Sequence, residues 1–127
     1  MPRLMSVAMT TQAVIERRKT VTRRKGWACL KPCDRLTLCR KVMGRKPGEP
    51  LVRIVDVEVV SVRRERLRAL TDDLDYGCAE VRLEGMTSDD PGIFPSVFLD
   101  RYFVDAQGMS PDDEVTRIEW RYMDGPR

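Results

Sequence analysis

The sequence predicts an α+β fold, a small mixed β-barrel with flanking helices. Strand and helix signals follow one another in the order β-α-β-β-β-α-α-β along 127 residues. The strands are long and joined by hairpin-type turns, which favours a barrel. No segment of about 20–50 residues repeats and no low-complexity linker divides the chain. Residues 1–127 therefore read as one domain, with a frayed tail over residues 123–127.

Leu4 to Val7 makes a short first strand. Thr10 or Thr11 offers an N-cap hydroxyl ahead of Gln12-Ala13-Val14-Ile15-Glu16, a short helix. Thr20-Val21-Thr22 is β-branched and reads as a strand, so the basic run 17–25 straddles a helix-to-strand turn. A loop through Pro32 leads to a strand from Asp34 to Met43, with Leu36 and Leu38 on one face. Lys46-Pro47-Gly48-Glu49-Pro50 is a turn. Leu51 to Val62 is the longest strand signal, with seven Val or Ile among twelve residues. Arg53 falls out of phase with Asp56 and Glu58, which predicts a bulge or a strand buried on both sides. Thr71-Asp72-Asp73 places acidic residues at a helix N-terminus, the positive end of the dipole. That helix runs through Ala79, Val81 and Leu83 and stops at Gly85. Pro95 to Val104 is a second helix, with Val97, Phe98, Tyr102 and Phe103 on or near one face. Val115 to Tyr122 closes the chain as a strand, with Thr116, Ile118, Trp120 and Tyr122 opposite Arg117, Glu119 and Arg121.

There is no histidine. That excludes a Ser-His-Asp or Cys-His nucleophile system, His-ligated zinc and an imidazole proton shuttle. Catalysis here must use carboxylates, lysine, hydroxyls, thiols or a cofactor. The composition is 42% apolar and 34% charged, that of a soluble globular domain. No apolar run approaches the roughly 18 residues of a membrane span, and Met1 to Val7 lacks the apolar core of a signal peptide. A cytoplasmic location with four reduced thiols is expected. No Gly-rich phosphate loop, EF-hand loop or dinucleotide fingerprint occurs, so no cofactor is expected. Cys29, Cys33 and Cys39, with Cys78 distant, match zinc-site spacing only loosely, and no metal is expected. Cys39 alternates with Leu36 and Leu38 as a strand residue in or beside the core.

The net charge of +3 conceals an asymmetry. Residues 1–70 carry 18 basic and 6 acidic side chains; residues 71–127 carry 5 and 14. The basic half suggests a polyanion or nucleotide partner. Alternatively the two halves neutralise one another across the folded domain. Within the basic half, Arg17 to Lys25 is cationic at six of nine positions. A lysine among five like charges has its protonated form disfavoured. Lys19 is thereby a candidate general base, and a neighbouring hydroxyl a candidate nucleophile. The plainer reading is a solvated basic face or a phosphate clamp without chemistry. Trp27, just after the run, either stacks on a base or anchors its loop in the barrel.

Thr10-Thr11 through Arg24 resembles the opening of the ASCH domain, a PUA-like small β-barrel family. Its signature is Gly, any residue, Lys, four arbitrary residues and Arg at a helix-to-strand turn. Lys19 and Arg24 fill the Lys and Arg positions, and Thr20-Val21-Thr22 matches a frequent Thr-aliphatic-Thr. Arg17 stands where the family has Gly; keeping a left-handed backbone there costs about 1 kcal/mol. Cys33 precedes Asp34 where the family usually has Gly. Glu84-Gly85-Met86 is similar to the family's Glu-Gly-aromatic, and Ile118-Glu119-Trp120 to its closing strand. Small ASCH proteins of this type are frequent in bacteriophage genomes.

The resemblance implies a pocket for a nucleoside, nucleotide or RNA, and no membrane partner. Some members are amidohydrolases that deacetylate N4-acetylcytidine with a Lys, a Thr three residues later and a Glu near the end of the acidic helix. Those positions map onto Lys19, Thr22 and Glu84, with Arg24 lining the same pocket. Lys19 would take the Thr22 proton, and Arg24 or a backbone N–H would stabilise the oxyanion. Glu84 would hold the lysine or pass a proton to the leaving amine. Other members are thought only to bind RNA or nucleotides. In that case Arg17, Arg18, Arg23, Arg24, Lys25 and Trp27 form the docking stretch. Glu84 is then an acid paired with an arginine and Thr22 an ordinary strand threonine. A partner-protein adaptor is the third class.

Overall fold

A computed structural model of the protein describes residues 2–124. Five strands form one mixed sheet: β1 (Arg3–Ser6), β2 (Val21–Arg24), β3 (Arg35–Cys39), β4 (Arg53–Arg66) and β5 (Glu114–Tyr122). Their order is β1-β3-β4-β5-β2, with β1 parallel to β3 and every other pair antiparallel. The sheet curls into a half-barrel rather than closing, because the edge strands β1 and β2 share no ladder. A side chain spans that seam: Arg24 Nη2 at the end of β2 donates to the Ser6 carbonyl of β1 at 2.5 Å.

The phase break in the long strand is two bulges. Pairing of β4 with β5 jumps between Val59 and Ser61, which leaves Val60 outside the ladder and 47% exposed. A second shift lies between Leu38 and Cys39 in the pairing of β3 with β4. β4 runs four residues beyond the expected Val62, since Arg63 to Arg66 pair with Glu114 to Arg117. Tertiary pairing thus overrides a polar segment with no strand pattern of its own.

Four helices accompany the sheet: α1 (Thr11–Ile15), α2 (Ala69–Asp72), α3 (Leu74–Leu83) and α4 (Pro95–Leu99). A 3₁₀ turn over Ala8–Thr10 runs straight into α1, so neither threonine acts as the expected N-cap acceptor. Thr11 Oγ1 instead donates to the Val7 carbonyl at 2.9 Å. The acidic helix is split at Asp73, whose extended backbone separates α2 from α3 and whose carboxylate accepts from Tyr76 N at 3.2 Å. α4 continues as a π-helical turn over Asp100–Asp105.

Two apolar clusters hold the fold. Met5, Val7, Leu36, Leu38, Val57, Ile118 and Trp120 belong to the cluster on the barrel side. Leu67, Leu70, Val81, Phe98, Phe103 and Val115 belong to the one under the helices. Of the expected tail, Met123 N donates to Asp56 O at 3.2 Å and Asp124 pairs with Arg17 at 2.6 Å; residues 125–127 lie outside the described residues. No helix among the described residues is long and apolar enough to cross a membrane.

Candidate functional site

The turn between α1 and β2 is tied down on three sides. Arg18 N and Lys19 N both donate to Ala13 O, at 2.8 and 3.2 Å, and Thr20 N donates to Leu83 O at 2.8 Å. The Lys19 carbonyl accepts from Trp120 Nε1 at 3.1 Å and from the Tyr122 hydroxyl. Arg17 keeps the left-handed backbone of the motif's glycine position, with φ 62°. Its guanidinium caps the end of α1 by donating to Val14 O and Ile15 O at 2.9 and 3.0 Å, and also pairs with Asp124. These bonds offset the backbone cost that glycine would have avoided. Cys33, the other departure from glycine, has φ 77°.

α3 delivers the partner. Glu84 caps its end, and Gly85 follows with φ 109°. A Cβ on Gly85 would sit 2.5 Å from Ala13 Cβ and 3.4 Å from Lys19 Cβ, so glycine permits the close approach. Lys19 and Glu84 are each 2% exposed. Lys19 Nζ donates to Glu84 Oε1 at 2.8 Å and to the Glu84 carbonyl at 3.1 Å.

Behind this pair, Arg23 is engaged on every nitrogen. It reaches Glu65 at 3.0 Å, Glu84 Oε2 at 2.9 Å, and both Glu80 and Tyr76. Glu80 is also gripped by Arg117, through bonds of 2.5 and 3.0 Å. Tyr76 donates to Glu65 at 2.7 Å. Burial opposes the Glu80 charge, but the bonds from Arg117 and Arg23 outweigh it and hold the carboxyl at about 2. Burial also opposes the Arg23 charge, yet Glu84, Glu65 and Glu80 raise its pKa overall. Lys19 goes the other way. Burial pushes it below the usual lysine value despite Glu84, and repulsion from Arg24 and Arg23 adds only a lesser push. The expected lowering is present, but crowding of like charges is not its main cause.

Lys19, Thr22, Arg23, Arg24 and Glu84 line one open cavity of about 250 Å³ at the seam. Ser6 and the 3₁₀ turn close one side. Phe98, Tyr102 and Phe103 add an aromatic wall, with Tyr102 stacked on Phe98 at 4.8 Å between centroids. Thr22 Oγ1 accepts from Arg24 Nε at 3.2 Å. Lys19 Nζ bonds to Glu84 and makes no bond to Thr22. Arg17, Arg18, Lys25 and Trp27 are not part of this wall. Arg18 bonds to Glu16 and the Gly85 carbonyl, and Lys25 faces solvent. Trp27 packs against the barrel core, its ring centroid 4.3 Å beneath the Arg3 guanidinium. The aromatic wall and the Glu65, Glu80 and Arg117 supports lie outside the motif that marks the site in the sequence. The apolar face of the second helix is the one signal that points to the wall.

Comparison with solved structures finds the same architecture. The crystal structure of ASCH from Zymomonas mobilis aligns over 93% of this chain with a TM-score of 0.54 and 12% identity. The fold is that of an ASCH domain. A tyrosine-to-phenylalanine mutant of the Zymomonas mobilis ASCH protein aligns over 93% of the chain at a TM-score of 0.52 and 14% identity. This chain spans 65% and 67% of the length of those two chains. No family model and no curated protein matches it. The ASCH architecture implied by the Lys19–Arg24 motif is therefore present, as an α+β half-barrel.

Proposed function

We propose that this ASCH-fold protein binds a nucleoside, nucleotide or RNA base in the seam cavity and hydrolyses the amide of an N4-acylated cytidine there. One observation carries the reading: Lys19, Thr22, Arg24 and Glu84, marked out by the motif, line a single cavity faced by an aromatic wall. Lys19, its proton loosened by burial, removes the Thr22 proton. The Thr22 oxygen bonds to the acetyl carbon while Arg24 stabilises the oxyanion. The C–N bond then breaks, the proton passes to the leaving amine, and water releases acetate from the acyl-threonine. Glu84 holds Lys19 throughout. The test is cytidine release from N4-acetylcytidine, expected with the native protein and abolished in Lys19→Ala and Thr22→Ala. No turnover across a panel of acylated nucleosides overturns it.

A second reading is binding without turnover. It is favoured by the Lys19 ammonium being bonded to Glu84 rather than to Thr22. It predicts RNA affinity that falls steeply with salt, as neutralised phosphates require. Affinity that ignores salt overturns it.

A further inference from the structure

The loop between β3 and β4 is a basic surface remote from the cavity. Residues 40–53 hold five cations, Arg40, Lys41, Arg45, Lys46 and Arg53, against one acid, Glu49. Among the described residues only Lys41 of the five is ion-paired, to Glu49 at 3.7 Å. The loop is shaped by its own bonds: Arg45 Nε donates to Val42 O at 3.0 Å, and Lys46 N donates to Glu49 Oε1 at 2.9 Å. Near its tip Met43 stands in water, 86% exposed.

The helical face is the converse. Residues 71–100 hold eight acids and one base, Arg82. Glu80 and Glu84 are engaged in the buried network. Asp73, Asp75 and Asp89 are exposed and have no ion pair among the described residues. Two large apolar side chains stand on the same face, Leu74 and Phe94, each 65% exposed. They flank one tight crossing, where a Cβ on Gly77 would lie 3.0 Å from Pro95 Cβ. Leu74 is about one helical turn before Gly77, and Phe94 directly precedes Pro95.

These two surfaces cannot satisfy one another within one molecule. The loop enters β4 at Arg53 and α2 follows the other end at Arg66, across 14 residues or roughly 40 Å of strand.

We propose that the loop over residues 40–46 docks on the α3–α4 face of a second copy of this chain, with Met43 seated between Leu74 and Phe94. Arg45 and Lys46 then face Asp75 and Asp89. Charge complementarity selects the occupant. The acids of the helical face repel a nucleic-acid backbone, and its apolar pair calls for a partner that brings cations around an apolar tip. The chain carries that partner itself. The contact joins unlike surfaces, so two molecules close it reciprocally or further copies extend it. It is small, and the association is therefore weak and reversible. It uses no residue of the seam cavity and stands apart from the chemistry proposed there.

Sedimentation equilibrium of the native protein at rising concentration tests it. The mean mass should climb above that of one chain in dilute buffer. It should fall back in salt of about 1 M, where the screening length is about 3 Å. Met43→Ser and Phe94→Ser should each weaken association about tenfold. The charge-reversed variants Arg45→Glu/Lys46→Glu and Asp75→Lys/Asp89→Lys should each stay monomeric alone. Mixed, they should associate again, because the acidic loop of the first meets the basic face of the second. Every substituted position is exposed, and thermal melts check that each variant folds. A native protein that stays monomeric in dilute buffer overturns the proposal, as does association that survives either reversal, or a mixture of the two variants that fails to associate. Loss of RNA affinity in Arg45→Glu/Lys46→Glu, with the native protein monomeric, gives the loop to nucleic acid instead.

Discussion

The Lys19 ammonium and the Glu84 carboxylate meet at 2.8 Å, each side chain sealed from solvent to within a few per cent. Removing one partner of a buried pair leaves the other charge desolvated, at about 3–5 kcal/mol. Glu84→Gln keeps the shape but strips the counter-charge from both Lys19 and Arg23. It should destabilise the fold by about 3 kcal/mol in urea unfolding. A change under about 1 kcal/mol would show that the pair is hydrated in solution.

Alkaline pH should favour the native state through Lys19. Burial lowers its folded pKa, so between that value and the ordinary 10.5 the unfolded chain binds the extra proton. Stability of the native protein relative to Lys19→Met should therefore rise with pH across that window. A flat difference in the denaturant midpoint would contradict it.

Glu80 acts at the acid end. Its carboxyl titrates at about 2 in the folded protein instead of near the usual 4.5. Its contribution is complete above 4.5 and is lost as pH falls toward 2. In Glu80→Gln the acid-side loss should be shallower, measured as the urea midpoint against pH.

Gly85→Ala should be among the most damaging single-methyl changes. The added carbon would lie 2.5 Å from Ala13 Cβ, at a φ of 109° that L-residues avoid. About 2 kcal/mol of destabilisation is expected from strain and overpacking together. Activity or ligand affinity should fall as well, because the same contact sets the spacing of Lys19 and Glu84. An unchanged melting temperature would sink this account.

Trp27→Ala separates anchoring from base stacking. The ring packs against the barrel core and away from the cavity wall. The variant should lose about 2–3 kcal/mol of stability, as a truncated half-buried aromatic does, with nucleotide affinity within about twofold at a temperature where it is folded. A selective loss of affinity at constant stability would reverse the assignment.

The parts of the site that the sequence reveals are the local ones. Lys19, Thr22 and Arg24 lie within six residues, and Glu84-Gly85 is a helix ending with its own chemistry. The left-handed turn is legible even through Arg17, because motif spacing survives a substitution that keeps the backbone. Arg23, by contrast, reads in sequence as a ligand-binding cation. Its three carboxylate partners come from β4, α3 and the C-cap of α3, and nothing in one segment announces them. The strand over 63–66 is hidden for the same reason, since its pairing with β5 is supplied from about fifty residues away. The π-helical turn that carries Tyr102 and Phe103 to the cavity has no period that a helical pattern distinguishes. The bulge in β4 is foreseeable because polar residues that change phase within one strand require an extra residue to realign the two faces.

The seam gives the molecule a direction in which it is soft. β3, β4 and β5 are each locked by neighbours on two sides, whereas β1 and β2 face one another across a gap that one arginine side chain bridges. Parting the edges there breaks one guanidinium hydrogen bond among the described residues and no row of amide bonds. A parting along that line would widen the cavity mouth and leave in place the Lys19 turn, which Trp120 and Leu83 clamp from behind. That arginine is thus the latch of the half-barrel.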